Sequence, residues 1–277
     1  MKKFLVVGNP IKHTHSPKLH NFWFKKYNIN AKYEQRLVDE KNLEEIIKEV
    51  REKKIDGINI TAPFKQNFFN LVDLKTDEVE KTKSINTVYI NEKGLLVGDN
   101  TDVGGFKESL KHINYDIKKK NVFIIGAGGV ASSIITALKS LEVGNISITN
   151  RTKKKAINIK ELFQNQVLIN EIVEWGETPK FCKTDVVINV TSLGLNKNES
   201  IELDYEKFKP GPSQKKLFYD VNYNPPITNF LKKGDELKNQ TENGLLMFLY
   251  QAQLAFKIWN GIKPEVNRET LDLLLDD

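Results

Sequence analysis

The sequence has little cysteine and no long apolar run. Its 277 residues include a single cysteine, Cys182, which excludes an internal disulfide framework and any multi-cysteine metal site. We interpret Cys182 as a small buried residue just before a strand. The apolar run in MKKFLVVGNP is too short for a signal-peptide core. The run LLMFLY (245–250) is far short of the ~20 residues that span a bilayer. These features predict a cytoplasmic protein without a membrane partner.

Arginine is also scarce. Of the 42 basic residues, only Arg36, Arg51, Arg151 and Arg268 are arginines, and the formal net charge is +6. Readers of nucleic acids rely on the arginine fork. Lysines interleaved with acids, as in 41–54, are instead typical of a solvated helix face. Nucleic acid is therefore not an expected partner, and the length predicts two domains at ~150 residues each.

Apolar runs and helical patterns alternate in the first hundred residues. A helix is expected to begin at Ser16-Pro17, with Ser16 as the N-cap, and a second is expected over 40–54. Residues 87–98 favour two short strands. The other predicted strands are 3–8, 33–38 and 57–61. Strands alternating with helices indicate a mostly parallel sheet with both faces covered.

A second α/β series follows a polar break at 114–120. Helices are predicted over 133–141, from Thr152, and over 244–258, where the pattern is apolar nearly all round and thus typical of a buried helix. The predicted strands are 121–126, 145–150, 185–192 and 217–223. The fold class expected is therefore α/β with two domains.

The turn after the strand 121–126 is rich in glycine. Gly126, Gly128 and Ala131 form G-x-G-x-x-A between a strand and a helix. The first glycine permits the tight turn, the second lets the backbone approach a pyrophosphate, and the small third residue allows close packing. The helix N-terminus attracts phosphate. This context predicts dinucleotide binding.

The end of the next strand indicates which dinucleotide is bound. An NAD site needs an acidic residue there to accept from the ribose 2′-hydroxyl. This chain has Asn150, Arg151 and Thr152, followed by three lysines. Charge-assisted bonds from Arg151 and Lys155 favour the 2′-phosphate of NADP. Lys153 and Lys154 are interpreted as solvated charges.

Two residues of the first series are candidates for acid–base chemistry. Lys65 follows a predicted strand and a rigid Pro63, and Asp102 lies in the acid-rich stretch 98–105. A lysine and a carboxylate on facing loops can share a substrate hydroxyl. From spacing alone, a surface lysine and an N-cap aspartate remain open alternatives.

Taken together, these stretches resemble the successive motifs of the shikimate dehydrogenase family, in order and over almost the whole chain. The matching motifs are GNPIKHTHSPKLH (8–20), NITAPFK (59–65), INTV (85–88), GDNTDVGG (98–105), GAGGVASS (126–133), NRT (150–152), NVTSLGL (189–195), YDVNY (219–223) and GLLMFLYQA (244–252). The resemblance implies an N-terminal α/β substrate domain and a Rossmann-type NADP-binding domain separated by a cleft. It implies reversible, NADP-dependent interconversion of 3-dehydroshikimate and shikimate, in aromatic amino-acid biosynthesis.

Residue roles carried over by this resemblance make Lys65 and Asp102 the catalytic pair. The substrate contacts it implies are Thr14, Ser16, Asn59, Thr61, Asn86, Tyr223 and Gln251. The cofactor contacts it implies are Asp77, Gly126, Ala127, Gly128, Gly129, Val130, Asn150, Arg151, Thr152, Lys155, Thr191, Val221 and Gly244. The substrate domain is expected over 1–103, completed by helices in 242–277, and the cofactor domain over 104–241.

Three positions depart from the family pattern. Thr14 replaces a serine and adds a methyl group beside the expected carboxylate site. Lys155 replaces an arginine and loses the planar fork. Leu195 replaces a methionine with little change in volume.

Several alternatives remain open. A quinate/shikimate dehydrogenase that accepts NAD is one, and a non-catalytic NADP-binding regulator is another. His13, His15 and His20 lack a nearby carboxylate or cysteine, so no metal site is expected. A small-molecule substrate is the expected partner, and a homodimer is left open.

Overall fold

The structure is a computed structural model that describes residues 1–12, 14–164, 169–180, 183–196, 198–211 and 215–275. The predictions for His13 and Cys182 lie outside these residues. The chain divides into two compact units, Met1–Gly105 with Leu249–Asp277, and Phe106–Phe248. The domain boundaries expected from the sequence lie close to these limits and stay a prediction.

The first unit is built on a six-stranded mixed sheet. Its strands are β1 (Lys2–Gly8), β2 (Ala31–Leu37), β3 (Gly57–Ile60), β4 (Leu74–Lys75), β5 (Thr87–Ile90) and β6 (Leu96–Asp99), in the order β2-β1-β3-β5-β6-β4. β1 lies parallel to both of its neighbours, whereas β5 is antiparallel to β3 and β6. The expected pair of short strands over 87–98 is therefore present, and it makes this sheet mixed.

The helices of the first unit include two that the sequence predicts, one at Ser16-Pro17 and one within 40–54. They are α1 (Ser16–Lys26), α2 (Leu43–Arg51), α3 (Asp77–Thr82), α4 (Thr101–His112), which runs into the second unit, and α9 (Arg268–Leu275). The expected N-cap of α1 is wrong by one residue, because His15 holds that position and Pro17 lies in the first turn. The predicted helix 40–54 is split into a 3₁₀ turn (Glu40–Asn42) and α2.

An aromatic cluster fills one side of this unit. Phe4 of β1 stacks on Trp259 with ring centroids 4.8 Å apart. Phe4 also stacks on Phe24, whose ring centroid lies 5.2 Å from that of Phe256. Trp259 approaches the sheet at Gly57, where an added Cβ would lie 2.5 Å from the indole nitrogen. Position 57 therefore requires glycine for packing.

The second unit contains a six-stranded, wholly parallel sheet. Its strands are β7 (Asn121–Ile125), β8 (Asn145–Thr149), β9 (Ile169–Val173), β10 (Val186–Asn189), β11 (Leu217–Asp220) and β12 (Gln240–Glu242), in the order β12-β11-β10-β7-β8-β9. This is the doubly wound order of a Rossmann fold, in which the direction of winding changes between β7 and β10. Ligands of such sheets bind beyond the carboxyl ends of the strands at that point.

Helices α5 (Ala131–Ser140), α6 (Lys153–Leu162) and α7 (Asn229–Glu236) accompany this sheet, and α8 (Leu245–Asn260) follows it along the chain. The central strands are buried on both faces, which explains their continuous apolar runs. Among the described residues, no helix is long and apolar enough to cross a membrane.

Candidate active site

A buried ion pair forms the centre of the site in the first unit. Lys65 lies in the turn after β3, and Asp102 lies in the first turn of α4. Lys65 Nζ donates to Asp102 Oδ2 at 2.6 Å, and the side chains are 13% and 6% exposed. Water therefore screens this pair little, and removing one partner would leave a buried charge uncompensated.

Asp102 is fixed from two further directions. Its backbone N–H donates to Asn100 Oδ1 at 3.1 Å, and its Oδ1 accepts from Asn86 Nδ2 at 2.8 Å. Asn86 is itself oriented by the backbone N–H of Thr101, which donates to Asn86 Oδ1 at 2.8 Å. The structure thus brings the predicted residues Lys65, Asn86 and Asp102 together.

Asn59 lies on β3 beside this group. Its Nδ2 donates to the carbonyl oxygen of Asn86 and to Thr87 Oγ1, both at 3.0 Å. Both amide hydrogens therefore have partners inside the protein. Thr61 follows β3 directly, and its N–H donates to the carbonyl oxygen of Val7 at 2.9 Å.

The predicted carboxylate-binding hydroxyls lie at the start of α1. Thr14 Oγ1 donates to Ser16 Oγ at 3.1 Å and accepts from the Ser16 N–H at 3.3 Å. Ser16 is buried, and Thr14 is half-buried. The two hydroxyls therefore form one cluster, in which the threonine retains the hydrogen-bonding function of a serine.

In the second unit, the glycine-rich turn follows β7. Gly126 has φ +116°, and an added Cβ would lie 2.8 Å from the Thr191 methyl group, so this position needs glycine. At Gly128, by contrast, a Cβ would meet no described protein atom within 4 Å. The backbone there is open to close approach by a ligand, which fits a pyrophosphate in front of the α5 N-terminus.

The turn after β8 lies next to that glycine turn. Asn150 Oδ1 accepts from the N–H of Ala127 at 3.0 Å, and its Nδ2 donates to the carbonyl oxygen of Thr152 at 2.9 Å. Thr152 is the N-cap of α6. Gly129 and Val130 complete the turn before α5. The predicted phosphate and ribose residues therefore lie at adjacent strand ends.

Cations cluster at the same place. Arg151 and Lys155 are exposed and form no ion pair with any described residue, whereas Lys153 pairs with Glu174. An unpaired guanidinium beside the dinucleotide turn is suited to a phosphate. Lys153 is exposed, as its interpretation as a solvated charge predicts, and its ion pair with Glu174 lies at the surface.

A hydrogen-bond network at the ends of β10 and β11 was not predicted from the sequence. The buried Asp220 accepts from Asn189 Nδ2 at 3.0 Å and from Thr228 Oγ1 at 2.7 Å. Asn189 Oδ1 in turn accepts from the N–H and hydroxyl of Thr191. Burial raises the pKa of Asp220 to about 6 despite these donors. The network fixes Thr191 and the chain at Val221, both predicted cofactor contacts.

Gly244 packs closely against the chain that follows β11. An added Cβ would lie 2.0 Å from the carbonyl oxygen of Val221, and the Gly244 N–H donates to the carbonyl oxygen of Asn222 at 3.0 Å. Tyr223, a predicted substrate contact, packs against Phe248 with ring centroids 4.7 Å apart and the rings tilted by 31°. Val221 and Gly244 are therefore neighbours, as their shared predicted role requires.

Two further predicted residues lie on helices. Asp77 is the exposed first residue of α3, and Gln251 is half-buried on α8. Asp77 and Gln251 keep their roles as predictions.

The described residues contain no group of histidine, cysteine and carboxylate side chains able to hold a metal ion. His20 lies in the aromatic cluster, stacked on Tyr33 with centroids 4.3 Å apart. Burial lowers the pKa of His20 to about 3. His20 is thus a neutral core residue.

The fold and these strand-end residues define a two-domain α/β protein with a Rossmann dinucleotide-binding unit. Family models match the chain in three segments: a shikimate dehydrogenase substrate-binding domain over 6–88, a shikimate/quinate 5-dehydrogenase over 108–232, and a shikimate 5′-dehydrogenase C-terminal domain over 244–268. The chain belongs to the shikimate dehydrogenase family. The family and fold class predicted from the motifs are confirmed.

Relatives resemble the chain over its full length. Shikimate dehydrogenase (NADP(+)) of Pelagibacter ubique is 49% identical, over 99% of this chain and 98% of the relative. The structure of shikimate 5-dehydrogenase from Thermus thermophilus with NADP(H) and shikimate has a TM-score of 0.83 and 29% identity, covering 96% and 95% of the two chains. The Listeria monocytogenes enzyme, solved with shikimate and NAD, has a TM-score of 0.87 and 26% identity, covering 99% and 96%.

Proposed function

We propose that this protein is an oxidoreductase that reduces 3-dehydroshikimate to shikimate, reversibly and with NADPH, within aromatic amino-acid biosynthesis. The observation that carries the proposal is the buried Lys65–Asp102 pair in a chain 49% identical to a NADP(+) shikimate dehydrogenase. The pair is intact, which argues against a non-catalytic regulator.

Lys65 is the proton donor in this mechanism. One hydrogen of its Nζ goes to Asp102 Oδ2, and the remaining hydrogens can be donated to the ketone oxygen at C3. As that oxygen becomes a hydroxyl, it takes the proton from Nζ, and Asp102 holds both the amine and the new hydroxyl. In the reverse direction, Lys65 takes the proton back. NADPH, when bound, supplies the hydride.

Hydroxyl and amide side chains recognise the rest of the substrate. Thr14 and Ser16 bind its carboxylate, and Thr61, Asn59 and Asn86 face its ring hydroxyls. Each of these groups can donate or accept, which suits a polyhydroxylated ring. Tyr223 and Gln251 complete the substrate contacts.

The cofactor is held by the second unit, with Asp77 as an additional contact. The turn at Gly126–Val130 takes the pyrophosphate, and Asn150, Arg151, Thr152 and Lys155 take the ribose and its 2′-phosphate. Thr191, Val221 and Gly244 lie at the nicotinamide end. Arg151 supports NADP over NAD, because no carboxylate follows β8 to receive a ribose hydroxyl.

The test follows the NADPH absorbance band after enzyme, NADP and shikimate are mixed. In parallel mixtures, quinate replaces shikimate or NAD replaces NADP. We expect rapid reduction with shikimate and NADP only. Comparable rates with NAD or quinate would instead support a quinate/shikimate dehydrogenase that accepts NAD. Absence of turnover in all mixtures would refute the proposal.

A substitution tests the role of Lys65. We expect Lys65→Met to lower kcat by about 10²–10⁴-fold, the range that general acid–base catalysis contributes. Lys81→Met, on the exposed surface of α3, is the matched control and should retain full activity. A Lys65→Met enzyme with wild-type kcat would remove Lys65 from the mechanism.

The proposal places the enzyme in the cytoplasm, with a domain division near residues 103 and 241 and assembly as a homodimer. Sedimentation of the purified protein tests the last point, and a mass of one chain would refute it.

A further inference from the structure

A buried chain of hydrogen bonds leaves the Thr14–Ser16 hydroxyls and reaches β3. Thr14 donates to Ser16, and Ser16 hydrogen-bonds the Tyr33 hydroxyl. Tyr33 Oη then donates to Asn59 Oδ1 at 2.7 Å. Tyr33 is 1% exposed, so water cannot replace either of its partners.

The chain continues from Asn59 to the ion pair. Asn59 Nδ2 donates to Thr87 Oγ1 at 3.0 Å, and Thr87 donates to Asn86 Oδ1 at 3.0 Å. Asn86 Nδ2 then donates to Asp102 Oδ1, whose other oxygen accepts from Lys65. The carboxylate-binding hydroxyls and the proton donor are therefore the two ends of one polar chain.

The direction of this chain is fixed. Asn59 Oδ1 can only accept, so Tyr33 must donate to it, and the Ser16 hydroxyl must donate to Tyr33. The backbone N–H of Thr101 donates to Asn86 Oδ1, which turns Nδ2 of Asn86 toward Asp102. All donors between Ser16 and Asp102 thus point the same way, an arrangement in which each bond polarises the next.

Residues of α1 hold both the backbone and the ring of Tyr33. The side chain of Asn21, on α1, makes two hydrogen bonds to the Tyr33 backbone. Its Nδ2 donates to the Tyr33 carbonyl oxygen at 2.8 Å, and its Oδ1 accepts from the Tyr33 N–H at 2.9 Å. The ring of His20 stacks on it within 4° of parallel. The hydroxyl therefore has one accessible position, between Ser16 and Asn59.

We propose that Tyr33 is a positioning residue that couples recognition of the substrate carboxylate at Thr14 and Ser16 to the orientation of Asp102 against Lys65. This inference rests on the proposed function of the same site. A carboxylate that takes the Ser16 hydrogen withdraws a donor from Tyr33, and the rearrangement passes through Asn59 and Asn86 to Asp102. Binding at one end of the substrate thereby adjusts the group that holds the reacting hydroxyl at the other.

The test is Tyr33→Phe, which removes one oxygen and keeps the ring. We expect kcat for 3-dehydroshikimate reduction to fall about tenfold, in line with the cost of small misplacements in an active site, while KM changes less than twofold. Tyr205→Phe is the matched control, because the hydroxyl of this half-buried tyrosine also donates one hydrogen bond, to the carbonyl oxygen of Ile201, outside the hydrogen-bonded chain. The control should lose thermal stability without losing kcat.

Thr87→Val tests whether the effect travels through Asn59. Tyr33→Phe and Thr87→Val break the same chain of hydrogen bonds. The kcat of the double variant should therefore be no lower than that of the less active single variant. Multiplying losses would show two independent effects and overturn the coupling.

A second readout does not depend on turnover. If Asp102 loses its orientation, it holds the Lys65 amine less firmly. Acetylation of Lys65 by an N-hydroxysuccinimide ester, measured by mass spectrometry, should then be severalfold faster in Tyr33→Phe. The rate should be unchanged in Tyr205→Phe. If the wild-type protein fails to reduce 3-dehydroshikimate, the proposed function fails while this labelling still tests Tyr33. Equal labelling of Lys65 in all three proteins, or a Tyr33→Phe enzyme with wild-type kcat, would overturn the inference.

Discussion

At the scale of single residues, Arg151 carries the expected preference for NADP. It is exposed, lies at the end of β8 and has no ion-pair partner among the described residues. A hydrogen bond between charged groups contributes about 1.5–3 kcal/mol, which corresponds to about 10–100-fold in affinity. Arg151→Ala should therefore raise KM for NADPH by that factor, leave kcat nearly unchanged and leave activity with NADH as it was.

Lys154→Ala serves as the control for this prediction, since Lys154 is an exposed lysine nearby, in the first turn of α6. Initial rates over a range of NADPH concentrations distinguish the two variants. Equal KM values for Arg151→Ala and the wild type would move the phosphate contact elsewhere, with Lys155 the next residue to test.

Residues of the site differ in how far the sequence could reveal them. The residues of the glycine turn are close together in the sequence, so their spacing alone was enough to predict a dinucleotide-binding turn there. Lys65 and Asp102 are far apart in the chain, so their spacing offered the pair only as one of several alternatives, and the family resemblance favoured it before the structure showed their contact. Tyr33, Thr87 and Asp220 were missed as positioning residues because their partners lie on other strands. A tyrosine in an amphipathic strand gives no sign of what its hydroxyl meets.

At the scale of elements, the C-terminus of α2 is a place where a lysine occupies a conformation that favours glycine. Lys53 has φ +56°, and the Lys53 and Lys54 N–H groups donate to the carbonyl oxygens of Val50 and Glu49, both at 3.0 Å. This is a Schellman motif, whose left-handed residue is usually glycine.

Lys53→Gly should therefore stabilise the first unit, by about 0.5–1 kcal/mol, because the strain of a left-handed lysine exceeds the extra entropy that glycine loses on folding. The measurement is the urea midpoint of unfolding. Lys48→Gly, in the middle of the same helix, should lower the free energy of unfolding by about 1 kcal/mol and so lower that midpoint. A lower midpoint for Lys53→Gly would contradict the assignment.

Elements were predicted best where burial is continuous. β1, β7 and β10 are buried over most of their lengths, and their apolar runs identified them. The short edge strands β4, β9 and β12 were missed, because an edge strand needs no apolar run and pairs on one side only. The helix expected over 40–54 was divided by a 3₁₀ turn, which the pattern of charged residues does not reveal.

At the scale of the whole molecule, the two units contain buried titratable groups of opposite sensitivity to acid. In the first unit, His20 has a folded pKa of about 3 against 6.5 for a free histidine. The neutral ring is favoured in the fold, so its stabilising effect is complete above pH 6.5 and is lost as the pH falls toward 3. By pH 5 that loss is about 2 kcal/mol.

In the second unit, burial raises the pKa of Asp220 to about 6 and that of Glu242 to about 7. The folded state binds these protons more tightly than the unfolded chain. The stability that these two groups contribute is therefore present at low pH and lost as the pH rises through 6 and 7. Between pH 8 and pH 5, Asp220 alone should add about 1 kcal/mol to the stability of this unit.

Acidification should consequently separate the unfolding of the two units. Trp23 and Trp259 lie in the first unit and Trp175 in the second, so Trp175→Phe makes tryptophan fluorescence a probe of the first unit alone. Between pH 7.5 and pH 5, we expect the urea midpoint seen by fluorescence to fall relative to the midpoint seen by far-UV circular dichroism, which reports on both units. His20→Phe keeps a ring in the aromatic cluster and should abolish the fall of the fluorescence midpoint, whereas the stabilisation of the second unit by Asp220 and Glu242 remains. Since the acid response of the first unit is assigned to one buried ring, coincident midpoints at pH 5 in the Trp175→Phe protein, or a fluorescence midpoint that still falls after His20→Phe is added, would show that other groups control the first unit.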